Sequence, residues 1–442
     1  MEEQKNRSRE ATSLETGDWT DAGSKFDVRS SKFVGYQKTE CEAEIKQYRK
    51  VKAKNKEQYQ FILDQTPFYA ESGGQVGDTG YLDNGSEKIF IVDTKKENGV
   101  IVHFADKLPK DLSKPFKAVV NKTKRHLTEN NHSSTHLLHA ALRKVLGTHV
   151  EQKGSLVNDE YLRFDFSHFS KVTDEEIAAI EKIVNEKIRE DIHSDIKEMP
   201  IEEAKKSGAM ALFGEKYGDV VRVVTFDKNY SIELCGGTHV KATGQIGLFK
   251  IISESAVAAG VRRIEAITAI KAEEYVSSKF EVLSQLNELM KNPKDLAKSV
   301  QGLIEQNVEL SKQVESLLKD KAKELKGELL KKITLTHGVN VISEKIMLDS
   351  ADAIKDLSFQ LKNEVNNLFM VLGAEVKGKP SLSVIISDNL VTEKKLNAGN
   401  IVRELAKEIQ GGGGGQPFYA TAGGTNLSGL DKAIEKARSV IQ

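Results

Sequence analysis

Two short words in the sequence, HSSTH and CGGTH, place four metal-type side chains at matched spacings in two distant parts of the chain. His132 and His136 are four residues apart in a run that reads as a helix, so both imidazoles share one face. Cys235 and His239 have the same spacing around two glycines, which suit a tight turn around an ion. Imidazole and thiolate donors select zinc over magnesium or calcium. The sequence therefore predicts that both segments converge on one zinc ion.

Four protein ligands can close a tetrahedral zinc site and leave no open position for water. Either one ligand is displaced during turnover, or the ion only orients a substrate. Purely structural zinc sites are more often rich in cysteine with two-residue spacings, so the histidine-rich set favours a chemical role. A single histidine is more often a hydrogen-bonded structural residue, and the paired spacing is what favours a metal here.

Composition narrows the class of protein that can carry this site. A length of 442 residues exceeds what one hydrophobic core usually serves, which predicts several domains. Basic and acidic residues balance at 65 each, so any nucleic-acid surface must be a local patch. Two cysteines exclude a disulfide framework and favour a cytoplasmic location. No apolar window approaches the length of a membrane span, and residues 1–10 lack the apolar segment of a signal peptide.

Hydrophobic patterning predicts an α+β protein in five parts. Residues 1–24 read as a linker or helix end, and residues 25–115 as a small antiparallel β-barrel with Asn-Gly turns. Residues 116–270 mix helices and strands and hold both ligand pairs, as a zinc-binding core. Residues 271–332 predict a helical hairpin, and residues 333–442 a small α/β domain rich in glycine near its end.

Within these parts, helices are expected from residue 132 and over 171–192, the second with a capping box of Thr173 and Glu176. Strands are expected over 220–226 and 247–253. The hairpin turns at Asn292-Pro293, and its second helix carries a heptad seam. That seam fits an intramolecular hairpin or a homodimer contact, and the C-terminal domain is the other candidate for a homodimer contact. The seam residues are Leu296, Val300, Leu303, Asn307, Leu310, Val314 and Leu317.

Two glycine-rich words are candidate binding segments. In residues 67–80, Gly73, Gly74 and Gln75 permit close backbone approach to a ligand, although a tight hairpin explains the same pattern. In residues 411–424, an ordered loop is expected in which backbone amides bind phosphate, with a flexible linker as the alternative. Its candidate residues are Gly412, Gly413 and Gly414.

The HSSTH and CGGTH pairs resemble the signature of the alanyl-tRNA synthetase editing domain and of its free-standing relatives. Residues 67–80, 151–155 and 260–266 resemble further words of that domain, and the glycine-rich tail resembles the family's tRNA-binding C-terminal domain. The resemblance covers nearly the whole chain in order. It implies one zinc ion and hydrolysis of the aminoacyl ester of tRNA(Ala) that is mischarged with serine or glycine.

The same resemblance assigns roles to individual residues. Thr135 would contact the side chain of the bound amino acid, and Gln152 would help to hold the substrate or a water molecule. Arg262 and Arg263, beside the editing core, are candidates for phosphates of the tRNA acceptor end, although an arginine pair is often a surface ion pair.

Nothing in the sequence resembles the aminoacylation module with its ATP site, and the opening MEEQKNRSREA resembles the helix that leads out of that module. We therefore expect a C-terminal portion of an alanyl-tRNA synthetase, or a long free-standing editing protein, that hydrolyses aminoacyl-tRNA without making it. The expected partner is tRNA(Ala), with no membrane. A non-catalytic tRNA-binding and dimerisation module is the main alternative. A phosphoesterase is remote, because the sequence has no Asp-His-His run.

Overall fold

The structure is a computed structural model, and it describes residues 15–23, 26–53, 56–210 and 218–441. The chain divides into two compact units, Met1–Gln285 and Leu286–Gln442. Within the described ranges it has several β-sheets and nine α-helices, so the predicted α+β class is confirmed. The predicted linker over residues 1–24 lies largely outside the described residues, as does the helix suggested at the start of the chain.

The first unit begins with a mainly antiparallel β-region. Nine strands form one sheet in the order β1-β5-β6-β10-β9-β8-β11-β4, with β2 beside β5, and β3 pairs with β7. The buried face of this region packs Phe61, Phe68, Leu82 and Ile89 together. The strands are β1 Glu15–Thr16, β2 Thr20–Asp21, β3 Lys32–Phe33, β4 Glu40–Ala43, β5 Ile45–Ala53, β6 Lys56–Leu63, β7 Gln65–Thr66, β8 Gly80–Asp83, β9 Lys88–Glu97, β10 Val100–Ala105 and β11 Phe116–Val120.

The predicted β-barrel does not close among the described residues, and this part of the prediction is corrected. The strand path is open, with β4 at one end and β1 beyond β5 at the other. Only Glu44 separates β4 from β5, so one extended run pairs with β11 through its first part and with β6 through its second. Asp64 fixes the bend, because its carboxylate accepts the Glu44 N–H at 2.8 Å. The chain itself therefore connects β4, at one end of the sheet, to β5, the strand next to the other end.

A mixed region follows, with two further sheets in the orders β12-β13-β18-β17 and β14-β15-β16. Its core packs the first long helix against Phe164 and Ile264, and the predicted capping box at Thr173 and Glu176 is present. The strands expected over 220–226 and 247–253 are confirmed. The elements are α1 Lys122–Leu146, β12 Gln152–Val157, β13 Leu162–Ser167, α2 Asp174–Arg189, β14 Asp195–Pro200, α3 Ile201–Lys206, β15 Val220–Asp227, β16 Ser231–Leu234, β17 Phe249–Ala258 and β18 Val261–Thr268.

Two long helices follow, α4 at Ala269–Leu289 and α5 at Leu296–Lys331, and the predicted break falls at Asn292-Pro293. The boundary between the two units lies within α4, so the hairpin itself stays a prediction. Leu303, Leu310 and Leu317 of the heptad seam are exposed on α5. In the described part of the chain, no helix combines the length and apolarity that crossing a bilayer requires.

The second unit ends in a six-stranded sheet with the order β19-β20-β21-β22-β24-β23. Helices cover it and bury side chains such as Phe369, Val384 and Val402, as an α/β arrangement predicts. Strands and helices alternate through most of this part, as the α/β prediction for residues 333–442 requires. The elements are β19 Thr334–Thr336, β20 Val339–Ile346, α6 Ala351–Glu364, β21 Leu368–Val376, β22 Lys379–Ile386, α7 Asp388–Glu393, α8 Ala398–Ala406, β23 Gly412–Gln416, β24 Tyr419–Gly423 and α9 Leu430–Arg438.

Candidate metal and substrate site

The structure brings the four predicted ligand residues together. His132 and His136 lie one turn apart on α1, with ring centroids 5.4 Å apart. Cys235 and His239 lie in the turn that follows β16, beside these rings. One ligand atom from each residue lies within 4.8 Å of the other three. The convergence predicted from spacing is therefore present in the fold.

Two of the six distances between donor atoms match a tetrahedral zinc ion, and all six lie within 4.8 Å. The Cys235 sulfur lies 3.4 Å from His132 Nε2 and 3.3 Å from His239 Nε2. Zinc bonds of about 2.3 Å to sulfur and about 2.0 Å to nitrogen, at a tetrahedral angle, place such atoms about 3.5 Å apart. The Gly237 N–H also points to the sulfur at 3.4 Å, which favours the thiolate form. The donor set and its dimensions therefore suit zinc.

Two of the imidazoles, those of His132 and His239, have a hydrogen-bond partner at Nδ1, and a carboxylate lies near the Nδ1 of His136 without a hydrogen bond to it. His132 Nδ1 donates to Gln75 Oε1 at 2.8 Å, which leaves the Nε2 lone pair for a metal. Ser133 Oγ lies 3.2 Å from His239 Nδ1, and a Glu233 carboxylate oxygen lies 3.6 Å from His136 Nδ1. Such partners hold the tautomer and the ring orientation of metal-binding histidines.

The glycine-rich word at residues 67–80 joins the site through Gln75. Its side chain is fully buried, donates to Thr238 Oγ1 at 2.9 Å, and accepts the Thr238 N–H at 2.9 Å. These bonds hold the Gln75 amide on protein partners, and a contact of Gln75 with substrate stays a prediction. Gly74 packs against the Ser155 carbonyl, where a Cβ would come within 2.7 Å.

A cavity of about 190 Å³ opens beside the ligand group. His132, His136 and Cys235 form one wall. The two residues predicted to contact substrate, Thr135 and Gln152, line it as well. The remaining lining includes Gly73, Tyr69, Ser72, Ser155 and Glu233.

Burial sets the protonation states around the site. It lowers the pKa of His132 and His239 well below the usual range, and that of His136 below it, so all three imidazoles are neutral at neutral pH. Burial alone would raise the pKa of Glu233, but the neighbouring imidazoles of His136 and His139 hold it below its usual value. Neutral imidazoles bind a metal ion without first losing a proton.

Two buried acidic residues near the site were not predicted. Glu233 lies two residues before Cys235 on β16, and its other oxygen is 3.1 Å from His139 Nδ1. Burial raises the pKa of Glu129 on α1 to about 7. The one available signal for Glu233 was its place two residues before Cys235, near the end of the strand that leads into the ligand turn. Glu129 lies within a polar stretch that gives no such signal.

Arg262 and Arg263 lie on β18 in ion pairs. Arg262 binds Glu254 through contacts of 2.5 and 2.6 Å, and Arg263 binds Asp165 through contacts of 2.6 and 2.8 Å. Paired geometry of this kind suits carboxylate recognition, and a phosphate would have to displace a carboxylate at each guanidinium. Phosphate binding by these arginines stays a prediction.

The glycine-rich tail word forms a strand and not a loop. Gly412, Gly413 and Gly414 pair with β24 as part of β23, the last strand of the six-stranded sheet. An edge strand leaves N–H and C=O groups on its outer side without a ladder partner. The predicted loop is corrected, while the amide groups that motivated it are present at the sheet edge.

A buried ion pair, also not predicted, joins α1 to the glycine-rich word. Arg125 donates to both carboxylate oxygens of Asp78, and to the carbonyls of Gly35 at 2.9 Å and Pro67 at 3.0 Å. Both charged side chains are buried. Asp78 also accepts the Tyr69 N–H at 2.7 Å. The pair therefore fixes the helix that carries two ligands against the sheet.

Replacing Arg125 by Met should destabilise the first unit by about 3–5 kcal/mol, because it leaves the Asp78 carboxylate buried without its partner. Denaturant unfolding followed by fluorescence measures this loss, since the single tryptophan, Trp19, lies in that unit. Lys205→Met, which breaks an exposed pair with Glu202 in the same unit, is the control and should change little. Equal stability of the two variants would contradict the prediction.

Three family models match separate parts of the chain. The model for tRNA synthetases class II (A) matches residues 1–124. This range includes the predicted linker over residues 1–24 and the β-region predicted from residue 25 onward. The threonyl and alanyl tRNA synthetase second additional domain matches residues 221–265, which include Cys235 and His239. The DHHA1 domain matches residues 338–442, the C-terminal α/β part.

Curated relatives named alanine–tRNA ligase match the chain from end to end. Those from Cytophaga hutchinsonii and Christiangramia forsetii are 56% and 54% identical over all of this chain, and the one from Bacteroides thetaiotaomicron is 53% identical over 99%. The chain spans about half the length of these relatives, 50%, 50% and 49% respectively.

The solved structures that match include the C-Ala domain from Aquifex aeolicus alanyl-tRNA synthetase. It covers 25% of this chain and 96% of its own at 17% identity, and the TM-score of 0.23 is too low to establish a shared fold. Sequence identity is what establishes the relationship. The chain belongs to the alanine–tRNA ligase family, in the part of those proteins that carries the second additional domain and the DHHA1 domain.

Proposed function

We propose that this chain hydrolyses the ester of tRNA(Ala) mischarged with serine or glycine, as the zinc-dependent proofreading part of a cytoplasmic alanine–tRNA ligase. One observation carries the proposal. Three of the four converging donor residues, His132, His136 and Cys235, line the same cavity as Thr135 and Gln152. A metal-type donor group that opens into a polar cavity suits a reaction better than a structural role.

The cavity suits a small aminoacyl group. A volume of about 190 Å³ compares with about 30 Å³ for one water molecule in the liquid. Thr135 donates its hydroxyl to the Asn131 carbonyl at 2.9 Å, so its oxygen remains an acceptor for a hydroxyl or amine of the substrate. Alanine has no side-chain hydroxyl to satisfy such a contact, so the contact separates serine from alanine, and it does not apply to glycine, which also lacks a hydroxyl.

The remaining residues hold the reacting groups in place. Zinc, when bound by His132, His136, Cys235 and His239, supplies Lewis acidity toward an ester carbonyl or a water molecule. Gln152, on the cavity wall, offers an amide that can hold water or the substrate. A histidine that holds a metal is not a free base, so proton acceptance falls to another group. Glu233 lines the cavity, and one of its carboxylate oxygens lies 3.6 Å from His136 Nδ1, which makes it the candidate for that task.

The decisive test is hydrolysis measured on Ser-tRNA(Ala), Gly-tRNA(Ala) and Ala-tRNA(Ala), with metal analysis of the same preparation. The proposal expects about one zinc per chain, turnover of the first two substrates and sparing of the third. A chain that contains zinc and hydrolyses none of them would leave the non-catalytic alternative as the better description.

We propose that β23, the edge strand of the second unit, binds the body of the tRNA. A Cβ built on Gly412 meets nothing within 4 Å, and one on Gly414 meets only Arg403 at 3.7 Å, so alanine fits at both positions. The Gly412→Ala and Gly414→Ala variants should weaken binding of full-length tRNA, because a methyl group screens the outer amides. Hydrolysis of a charged acceptor-stem mimic should continue at the normal rate. Filter binding and deacylation assays measure the two effects, and unchanged tRNA affinity would contradict a role of this strand in tRNA binding.

A homodimer is a second candidate role for the helical part, and one observation favours it. Val300, Leu303, Leu310, Val314 and Leu317 repeat at heptad spacing on α5, and all five are exposed. An exposed apolar stripe of this kind marks a binding face for another helix. Sedimentation equilibrium of the full chain tests it, and a monomer at all concentrations would exclude the dimer.

A further inference from the structure

The turn that carries Cys235 is held by two residues outside the ligand set. Arg222 on β15 accepts the Cys235 N–H with its backbone carbonyl at 3.0 Å. Its Nη1 donates to the carbonyls of Cys235 and Gly237, both at 2.8 Å. The hydroxyl of Tyr36 donates to the carbonyl of Gly236 at 2.6 Å. The carbonyls of three consecutive residues therefore each receive a side-chain donor.

Tyr36 and Arg222 also hold one another. The guanidinium carbon of Arg222 lies 4.2 Å from the centre of the Tyr36 ring, which is cation–π geometry. Phe33 packs edge-on against the same ring, with centroids 4.9 Å apart. Each side chain therefore restricts the rotamers of the other, and the pair acts as one rigid support.

The support is anchored on the helix that supplies the other two ligands. Arg125 of α1 donates to the carbonyl of Gly35, the residue before Tyr36, at 2.9 Å. A Cβ at Gly35 would lie 2.3 Å from the Pro67 carbonyl, so only glycine allows this close approach. Arg125 precedes His132 by two helical turns. One buried arginine thus links the helix of the first ligand pair to the residue that holds the turn of the second.

We propose that Tyr36 and Arg222 form a positioning clamp that sets the Cys235 thiolate against the imidazoles of α1, so that metal affinity depends on two residues that are not ligands. The clamp rests on the metal centre of the proposed function. A turn with two adjacent glycines has many conformations when it is unsupported, and holding its carbonyls reduces the entropy lost when an ion binds. Partners that orient ligands in this way typically change metal affinity 10- to 100-fold.

Titration of the metal-free full chain with Co²⁺ tests the clamp, because the visible spectrum reports both tetrahedral geometry and thiolate ligation. Tyr36→Phe removes one hydroxyl and keeps the ring, and should weaken Co²⁺ binding about 10-fold. Arg222→Lys keeps the positive charge and loses the planar guanidinium that stacks on Tyr36 and donates to the two carbonyls. It should weaken Co²⁺ binding up to about 100-fold and reduce the thiolate charge-transfer band. The double variant should lose less than the product of the two, since both residues hold one turn.

Two variants serve as matched controls. Tyr81→Phe alters a tyrosine on β8 that has the same cation–π geometry, with the Lys88 amine 4.3 Å from its ring. Arg143→Lys alters an arginine that also holds two backbone carbonyls, those of Thr148 at 2.8 Å and Val150 at 2.7 Å, at the end of α1. Both controls should bind Co²⁺ as tightly as the unaltered chain does.

The outcomes separate the clamp from the site that it serves. Normal Co²⁺ affinity and spectrum in both Tyr36→Phe and Arg222→Lys would overturn the clamp and leave the metal centre intact. An unaltered chain that takes up no Co²⁺ would overturn the metal centre and the clamp with it. Tyr36→Phe decides the matter alone if Arg222→Lys does not fold, as judged by circular dichroism.

Discussion

Cys235→Ala is expected to lose bound zinc and to hydrolyse Ser-tRNA(Ala) at least about a thousandfold more slowly than the unaltered chain. The substitution removes the one thiolate from the donor set, whose sulfur lies 3.4 Å and 3.3 Å from two imidazole nitrogens. Lewis-acid stabilisation is worth several kcal/mol, and each 1.4 kcal/mol corresponds to about a tenfold change in rate. Metal content and single-turnover deacylation, measured on the same preparation, check both parts of this result.

The other cysteine offers a matched control. Cys41 lies on β4 and packs against the core of the first sheet, so Cys41→Ala removes a thiol from the same unit without touching the donor group. It should keep its zinc and its rate. A Cys235→Ala variant that keeps full activity would refute the catalytic assignment. One that loses zinc and keeps activity would show that the ion has only a structural role.

The candidate metal site was predictable from sequence because each half of it is local. Two histidines one turn apart and a Cys-Gly-Gly-Thr-His turn have a fixed internal geometry wherever the segments lie. The residues that orient the imidazoles were not predictable, because their roles exist only after folding. Gln75 is 57 residues from His132, and Ser133 is 106 residues from His239. Nothing in the local pattern of either residue marks these contacts.

The start of α1 shows a different limit of sequence reasoning. A helix was predicted from His132, whereas α1 begins at Lys122, so the first ligand lies in mid-helix. Residues 122–131 are mostly polar and lack an apolar stripe, which is the usual signal of a packed helix. Arg125 is buried in this segment through its pair with Asp78, so an ion pair supplies the packing. Sequence periodicity does not register burial of that kind.

The closed barrel and the tail loop failed for related reasons. Closure of a sheet depends on which distant strands pair. The bend at Glu44 connects β4 to β5 along the chain, but these two strands do not pair with one another. Glycine disfavours strands on its own, yet Gly412 to Gly415 pair residue by residue with β24. In both places tertiary pairing overrides the local preference.

Gly237→Ala should abolish metal binding, with Co²⁺ or zinc affinity lowered by more than about 100-fold, since even the displacement of residues around a ligand costs up to that factor. A Cβ at this position would lie 2.1 Å from Cε1 and 2.4 Å from Nδ1 of His132, and 2.8 Å from the Gln75 amide oxygen. The methyl group must therefore displace either the ligand ring or the turn that holds Cys235. Deacylation of Ser-tRNA(Ala) should fall with the metal content.

Gly236, the neighbouring glycine, provides a matched control, because its added methyl group would lie elsewhere in the same turn. A Cβ at Gly236 has the Tyr36 hydroxyl as its nearest neighbour, at 4.0 Å, which is ordinary contact. Neither glycine has a positive φ, so alanine adds no backbone strain at either position. Gly236→Ala should therefore keep zinc and activity close to normal while Gly237→Ala loses both. Equal behaviour of the two variants would mean that the turn and the His132 ring are not packed together, and the zinc site built from them would be wrong.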